Sequence, residues 1–142
     1  MSSLDILSSA AVYGEPEYTP VDEKHSLNPT STYGETKLYV ENMLKACETA
    51  HGLKSVCLRY FNAAGADNSG SIGELHQPES HLIPLALQTA LGQRESISIF
   101  GSDYPTLDGI CIRDHIHVSD LVEAHIPYDG KLKNSEINGF RD

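Results

Sequence analysis

The sequence predicts an α/β fold with a parallel sheet. Three runs read as strands: LDILSS (Leu4–Ser9), SVCLRYF (Ser55–Phe61) and the short Ser96–Phe100. Between them lie two stretches with helical character, Tyr33–Ala50 and HLIPLALQTALG. Strands separated by helices of that length pair in parallel through crossovers, because a hairpin needs only a few residues. The 142 residues, 39% of them apolar, suffice for one domain with a core of ordinary size.

Taken in order, Leu4–Ser9 is short and largely apolar and reads as a strand. Residues 14–31 are rich in Pro, Glu, Thr and Asn and read as a loop with turns near Pro16, Pro20 and Pro29. Thr32-x-x-Glu35 has the form of a capping box, opening a helix from about Tyr33 to Ala50 that stops before Gly52. Tyr33, Lys37, Val40, Leu44 and Cys47 follow at spacings of four and three, which puts them on one helical face. Ser55–Phe61 is rich in strand formers. NAAGADNSGSIGE, residues 62–74, reads as a glycine-rich loop. The next helix has Pro84 near its first turn and Gly92 at its end. After Ser96–Phe100 comes a turn-rich GSDYPTLDG, then a β-like segment in IRDHIHV. Ser119 is placed to cap a helix running to about Ile126, stopped by Pro127. The remaining residues, 127–142, form a polar tail without a period.

Twenty acidic residues against ten Lys and Arg give a formal charge of −10, which repels phosphate backbones and argues against a nucleic-acid partner. No apolar run reaches the length of a membrane span, and MSSLDILSSA lacks the basic start of a signal peptide. Cys47, Cys57 and Cys111 fit neither a zinc site nor a disulfide framework, so buried free thiols in a reducing, cytoplasmic setting are expected. His115 and His117 are a weak metal signal, and no metal is assigned.

The chemistry sits at one end of the first helix. Tyr33 and Lys37 are one turn apart. A phenol titrates near about 10 in water, too high for a base at neutral pH, and a neighbouring ammonium favours the phenolate. Such a pair can take a proton from a sugar hydroxyl during oxidation and return it. Ser9, at the end of a strand, can hydrogen-bond the same hydroxyl; carboxyl ends of parallel strands are where ligand sites gather. Taken alone, a tyrosine and a lysine at this spacing are more often a core residue beside a surface one.

The segments SSAAVYG, NPTSTYGETK, LRYFNAAGA, HLIP, IFGSDYPTLDG and IRDHIHVSDL occur in this order from Leu4 to about Ile126. Together they resemble the UDP-glucose 4-epimerases, a family of extended short-chain dehydrogenases/reductases. Tyr-x-x-x-Lys marks only the superfamily; HLIP with FGSDYPT is closer to 4-epimerases of UDP-sugars. The resemblance implies a partial Rossmann-like parallel sheet with helical crossovers over residues 1–126, together with part of the substrate-binding region, and a divergent tail over 127–142. It implies interconversion of UDP-glucose and UDP-galactose by transient oxidation at sugar C4 with bound NAD, without separating this from other UDP-sugars. Ser9, Tyr33 and Lys37 then match the catalytic residues. Tyr33, Lys37, Tyr60 and Phe61 match cofactor contacts. Ser9, Asn62, His81, Leu82, Ser98, Ile99, Phe100 and Arg113 match substrate contacts, with Arg113 suited to a diphosphate. A homodimer is compatible with the full-length form. Related 4,6-dehydratases carry an acid and a base just before Val-Tyr-Gly, where this chain has Ala10 and Ala11, so dehydration is not expected. Leu75, Leu107, Ile110 and His115 depart from the residues usual in the family. The family's glycine-rich phosphate loop is not found in these residues, so an internal fragment is expected. A non-catalytic remnant or interaction module is the alternative.

Overall fold

Two parallel strand pairs organise the chain. A computed structural model describes residues 3–125, and the tail from residue 127 and the expected stop at Pro127 lie outside them. The described residues divide into two units, 3–61 with 121–125, and 62–120.

In the first unit, β1 (Ser3–Leu7) pairs in parallel with β2 (Lys54–Leu58), Leu7 lying opposite Leu58. The ladder runs on beyond both strands, with Ser8 N–H donating to the Leu58 carbonyl and Ala10 N–H to that of Tyr60, each at 3.0 Å. α1 (Thr32–His51) is the crossover between them. Its cap is Ser31, not Thr32: the extended Ser31 backbone lets its hydroxyl accept from Gly34 N–H at 3.1 Å, so Thr32 is already helical. Gly52, at φ 68°, ends the helix in the left-handed conformation that glycine adopts without strain. The buried face is Gly34, Glu41 and Leu44: Leu44 of the expected stripe is buried, but Gly34 and Glu41 take the inward positions beside Tyr33 and Val40, which are exposed. A small core of Ala10, Val12 and Tyr13 is flanked by Val21, Leu27 and Leu38. Cys47 and Cys57 are free thiols but only half-buried; burial pushes the Cys57 thiol up, as does nearby Glu41.

In the second unit, β3 (Asn62–Ala64) pairs in parallel with β4 (His115–His117), so the glycine-rich loop begins with a short strand. The sheet is thus two separate pairs rather than one three-stranded array among the described residues. α2 (Leu82–Ala90) carries Pro84 in its first turn, where the missing N–H costs nothing. Ser96–Phe100 forms no strand. Among the described residues no strand pairs with it, and Ile99 is 82% and Phe100 96% exposed. α3 (Val118–His125) begins one residue before the expected cap: Ser119 lies inside its first turn, and its N–H donates to the His117 ring at Nδ1, 3.2 Å. No helix among the described residues is long and apolar enough to cross a membrane.

Candidate active site

The end of β1 places Ser9. After Leu7 the chain stays on the β2 ladder through Ser8 and Ala10, then turns into a single 3-10 turn, Ala10–Val12. Ser9 caps that turn; its backbone is extended and its Oγ accepts from Ala11 N–H at 3.2 Å. A hydroxyl that accepts one bond still has its own proton to donate.

The first turns of α1 place Tyr33 and Lys37. Tyr33 is the second residue of the helix and is 56% exposed, so its phenol is open to a ligand. Lys37 reaches back to the strand, its Nζ donating to the Leu7 carbonyl at 2.8 Å. The same ammonium lies 5.5 Å from the centre of the Tyr33 ring. An ammonium has three donors, so this bond leaves two for a diol or a phenolic oxygen. The approach of helix to turn is close. A Cβ on Gly34 would sit 2.5 Å from the Ala11 carbonyl oxygen and 2.9 Å from Pro29 Cβ, which is why glycine follows the tyrosine. Tyr60, just beyond β2, is pushed above the usual phenol range, first by burial and then by neighbouring Tyr33. Phe61 beside it is exposed.

Beneath these residues runs a polar cluster that the sequence reading missed. Glu41, 2% exposed, accepts from Ser8 Oγ at 2.5 Å and from Arg59 Nε at 3.0 Å through Oε1, and from Arg59 Nη2 at 2.6 Å through Oε2. Arg59 Nη1 donates to the Tyr13 hydroxyl at 3.1 Å, its guanidinium 5.1 Å from the Tyr13 ring centre. Burial alone would raise the Glu41 carboxyl, but the hydrogen bonds from Arg59 and Ser8 and the Arg59 charge outweigh it and hold the carboxyl below its usual range. The only signal in the sequence was a carboxylate one turn beyond Lys37 on the same helix face.

The first unit therefore brings Ser9, Tyr33, Lys37 and Tyr60 onto neighbouring backbone. The remaining candidates, Asn62, His81, Leu82, Ser98, Ile99, Phe100 and Arg113, belong to the second unit. There, Asn62 Nδ2 donates to the Asp114 carbonyl at 2.8 Å, tying β3 to the residue that follows Arg113. Arg113 is exposed, and Ser98–Phe100 is irregular and exposed. His81 stands at the start of α2 and Leu82 is its first residue. One ligand atom from each of Glu74, His76, Glu79 and His81 lies within 4.8 Å of the others. Glu79 Oε1 is already taken by the N–H groups of Ser80 and His81, both at 2.7 Å, and by the His81 ring at 2.9 Å. That carboxylate fastens the turn entering α2, and its bonds hold it below the usual range.

Comparison with known proteins matches this arrangement to one family. The sequence profile of the NAD dependent epimerase/dehydratase family matches residues 3–135. The UDP-glucose 4-epimerase of Halalkalibacterium halodurans is 63% identical over 118 residues, which is 83% of this chain and 35% of that protein. The UDP-glucose 4-epimerase of Brucella ovis, solved in complex with NAD, aligns with a TM-score of 0.81 at 49% identity over 88% of this chain and 38% of that one. That of Bifidobacterium longum, solved with NAD+ and UDP, aligns with a TM-score of 0.79 at 37% identity over 88% of this chain and 38% of that one. The chain thus spans little more than a third of the length of the relatives it matches. Its parallel β1–α1–β2 unit, with a serine at the strand end and Tyr33 and Lys37 on the crossover helix, belongs to the NAD dependent epimerase/dehydratase family.

Proposed function

We propose that this chain supplies the general-base part of a UDP-sugar 4-epimerase, which interconverts UDP-glucose and UDP-galactose by transient oxidation at sugar C4. The observation that carries the reading is the placement of Lys37. It is anchored at the Leu7 carbonyl, two residues before Ser9, with its ammonium beside the Tyr33 ring. In this reading the Tyr33 phenolate oxygen takes the O4 proton and later returns it to O4, the 4-keto sugar having turned its opposite face in between. Ser9 Oγ donates to the same oxygen and holds the hydroxyl for transfer. Proton transfer by a positioned side chain contributes roughly 10²–10⁴-fold.

The donor set fits the nicotinamide-ribose end of NAD: Lys37 keeps two N–H groups for a ribose diol, and the exposed Phe61 offers an apolar face beside Tyr60. Bound NAD would supply acceptance and return of hydride, so that no net oxidation occurs. In the second unit we assign UDP-sugar contacts to Asn62, His81, Leu82, Ser98, Ile99, Phe100 and Arg113. The Arg113 guanidinium suits a diphosphate by its fixed charge and forked donors. Ala10 and Ala11, one of them buried, offer no proton donor or acceptor, which supports epimerisation over dehydration. Three unpaired thiols support a cytoplasmic, reducing setting, and we assign a homodimer to the complete enzyme.

The test is a graft. Residues 3–125 replace the matching stretch of the Halalkalibacterium halodurans relative, and interconversion of UDP-glucose and UDP-galactose is followed. The graft should turn over, and Tyr33→Phe in it should lose about 10³-fold in kcat while melting as the parent does. A folded graft without turnover, or Tyr33→Phe at undiminished rate, would refute the assignment.

A further inference from the structure

Four residues that take no part in this chemistry share one buried cluster: Ser8, Tyr13, Glu41 and Arg59. Each adjoins a candidate site residue. Ser8 precedes Ser9, Tyr13 ends the turn that Ser9 caps, Arg59 precedes Tyr60, and Glu41 lies one turn beyond Lys37 and two beyond Tyr33. We propose that Glu41 and Arg59 are positioning residues whose ion pair sets the separation between the Ser9 turn and the Tyr33–Lys37 turn of α1. The proposal rests on the reading of Ser9, Tyr33 and Lys37 given above.

The geometry argues for orientation rather than mere adhesion. Apolar contacts have no direction, and on α1 they are few: among the described residues Leu44 is its one buried apolar side chain, with Leu38 half-buried against the core. Such a helix can roll about its axis by small amounts at little cost. The Glu41 carboxylate removes that freedom. Oε1 receives both Ser8 Oγ and Arg59 Nε, and Oε2 receives Arg59 Nη2, so the fork fits in one relative orientation. The third arm of the guanidinium, Nη1, continues to the Tyr13 hydroxyl. Strand end, 3-10 turn, helix and the segment after β2 are thereby fixed against one another through a single carboxylate. A buried ion pair is a weak way to gain stability, because well-packed apolar residues of similar volume often do as well. What they cannot reproduce is the fixed angle.

That difference is what the experiment reads. The variant Glu41→Leu/Arg59→Met replaces the pair by apolar residues of similar size. In the graft it should melt near the parent while kcat falls about 30-fold and KM stays within about two-fold, as for misplaced but present reacting groups. In the 142-residue chain itself, amide exchange at Ala10 and Val12 should quicken about ten-fold. These N–H groups bond to the Tyr60 and Ser9 carbonyls and report the seating of the turn. If the double variant fails to fold, Arg59→Lys keeps the charge without the fork and should give the same loss of kcat and the same faster exchange. Parental kcat in a folded variant, or unchanged exchange at Ala10 and Val12, overturns the proposal. A graft inactive before any substitution sinks the epimerase reading instead, and the exchange rates still decide whether the brace holds the turn.

Discussion

Replacing Gly34 by alanine isolates the contact between helix and turn in a single methyl group. The added Cβ would lie 2.5 Å from the Ala11 carbonyl oxygen, 3.1 Å from its carbon and 2.9 Å from Pro29 Cβ. Carbon–oxygen contacts of this kind settle near about 3.4 Å, so α1 must back away by roughly 1 Å. Backbone cannot swing aside as a flexible side-chain end can. Alanine also favours a helix over glycine, by up to about 1 kcal/mol in a helix interior. Overpacking against fixed backbone costs about 1–3 kcal/mol. The clash wins, with a net loss of about 1–2 kcal/mol. At a urea slope of roughly 2 kcal/mol per M, the unfolding midpoint of the chain falls by about 0.5–1 M. The functional effect is larger in proportion, because a displacement of about 1 Å between reacting groups can cost about 10²-fold in rate. In the graft, Gly34→Ala should therefore lose about 10²-fold in kcat while the protein stays folded. A variant with the parental urea midpoint and parental turnover would refute the claim that this glycine sets the spacing between Ser9 and Tyr33.

Two further outcomes follow from the same unit. Glu41 is held below its ordinary value of 4.5, so its ionised form stabilises the fold above that pH, and this contribution is lost as pH falls through the lower folded value. Urea midpoints measured from pH 6 to pH 3 should thus fall more steeply for the parent than for Glu41→Gln; parallel curves would count against the carboxylate. Ser31→Ala removes the hydroxyl that accepts from Gly34 N–H, and should destabilise the chain by about 1 kcal/mol, whereas Thr32→Ala should cost less. Equal losses at the two positions, read from urea unfolding, would contradict the assigned cap.

Local signals carried β1, α1, β2 and α2: apolar and β-forming runs for the strands, helical spacing with a Ser/Thr start for α1, and Pro84 and Gly92 bracketing α2, whose apolar side chains are largely exposed among the described residues. The Tyr33–Lys37 spacing was legible for the same reason: both lie on one helix within one turn. What escaped was every feature made by partners distant in sequence. Arg59 and Glu41 are 18 residues apart and sit on different elements, so nothing local announces the pair. Leu44 of the expected stripe is buried, but apolar content also pointed to Val40 and Tyr33, while the other inward positions are a glycine that permits contact and a glutamate whose negative charge Arg59 pairs. Ser96–Phe100 shows the reverse error. Its composition favours a strand, but strand propensity describes fit to a neighbouring strand, and none is paired with it among the described residues. His117 as the acceptor at the start of α3 was beyond a rule that looks for Ser, Thr, Asp or Asn.

The two serines at the end of β1 show how register converts a repeated letter into two roles. Ser8 and Ser9 are chemically identical, and successive residues on extended backbone project to opposite sides. The β1–β2 ladder fixes which side is which: Ser8 N–H bonds Leu58 and Ala10 N–H bonds Tyr60, leaving Ser9 between them. Ser8 is turned inward, where its proton is committed to the Glu41 carboxylate. Ser9 is only half-buried, and its oxygen accepts from Ala11 while its proton remains to be given. A slip of one residue would exchange these sides, burying the donor and, in the proposed reading, presenting to the substrate a serine withdrawn from the brace. The register is therefore part of the chemistry. It is set by the same parallel pairing whose end holds the Lys37 ammonium at the Leu7 carbonyl, so serine, tyrosine and lysine are placed by one strand terminus.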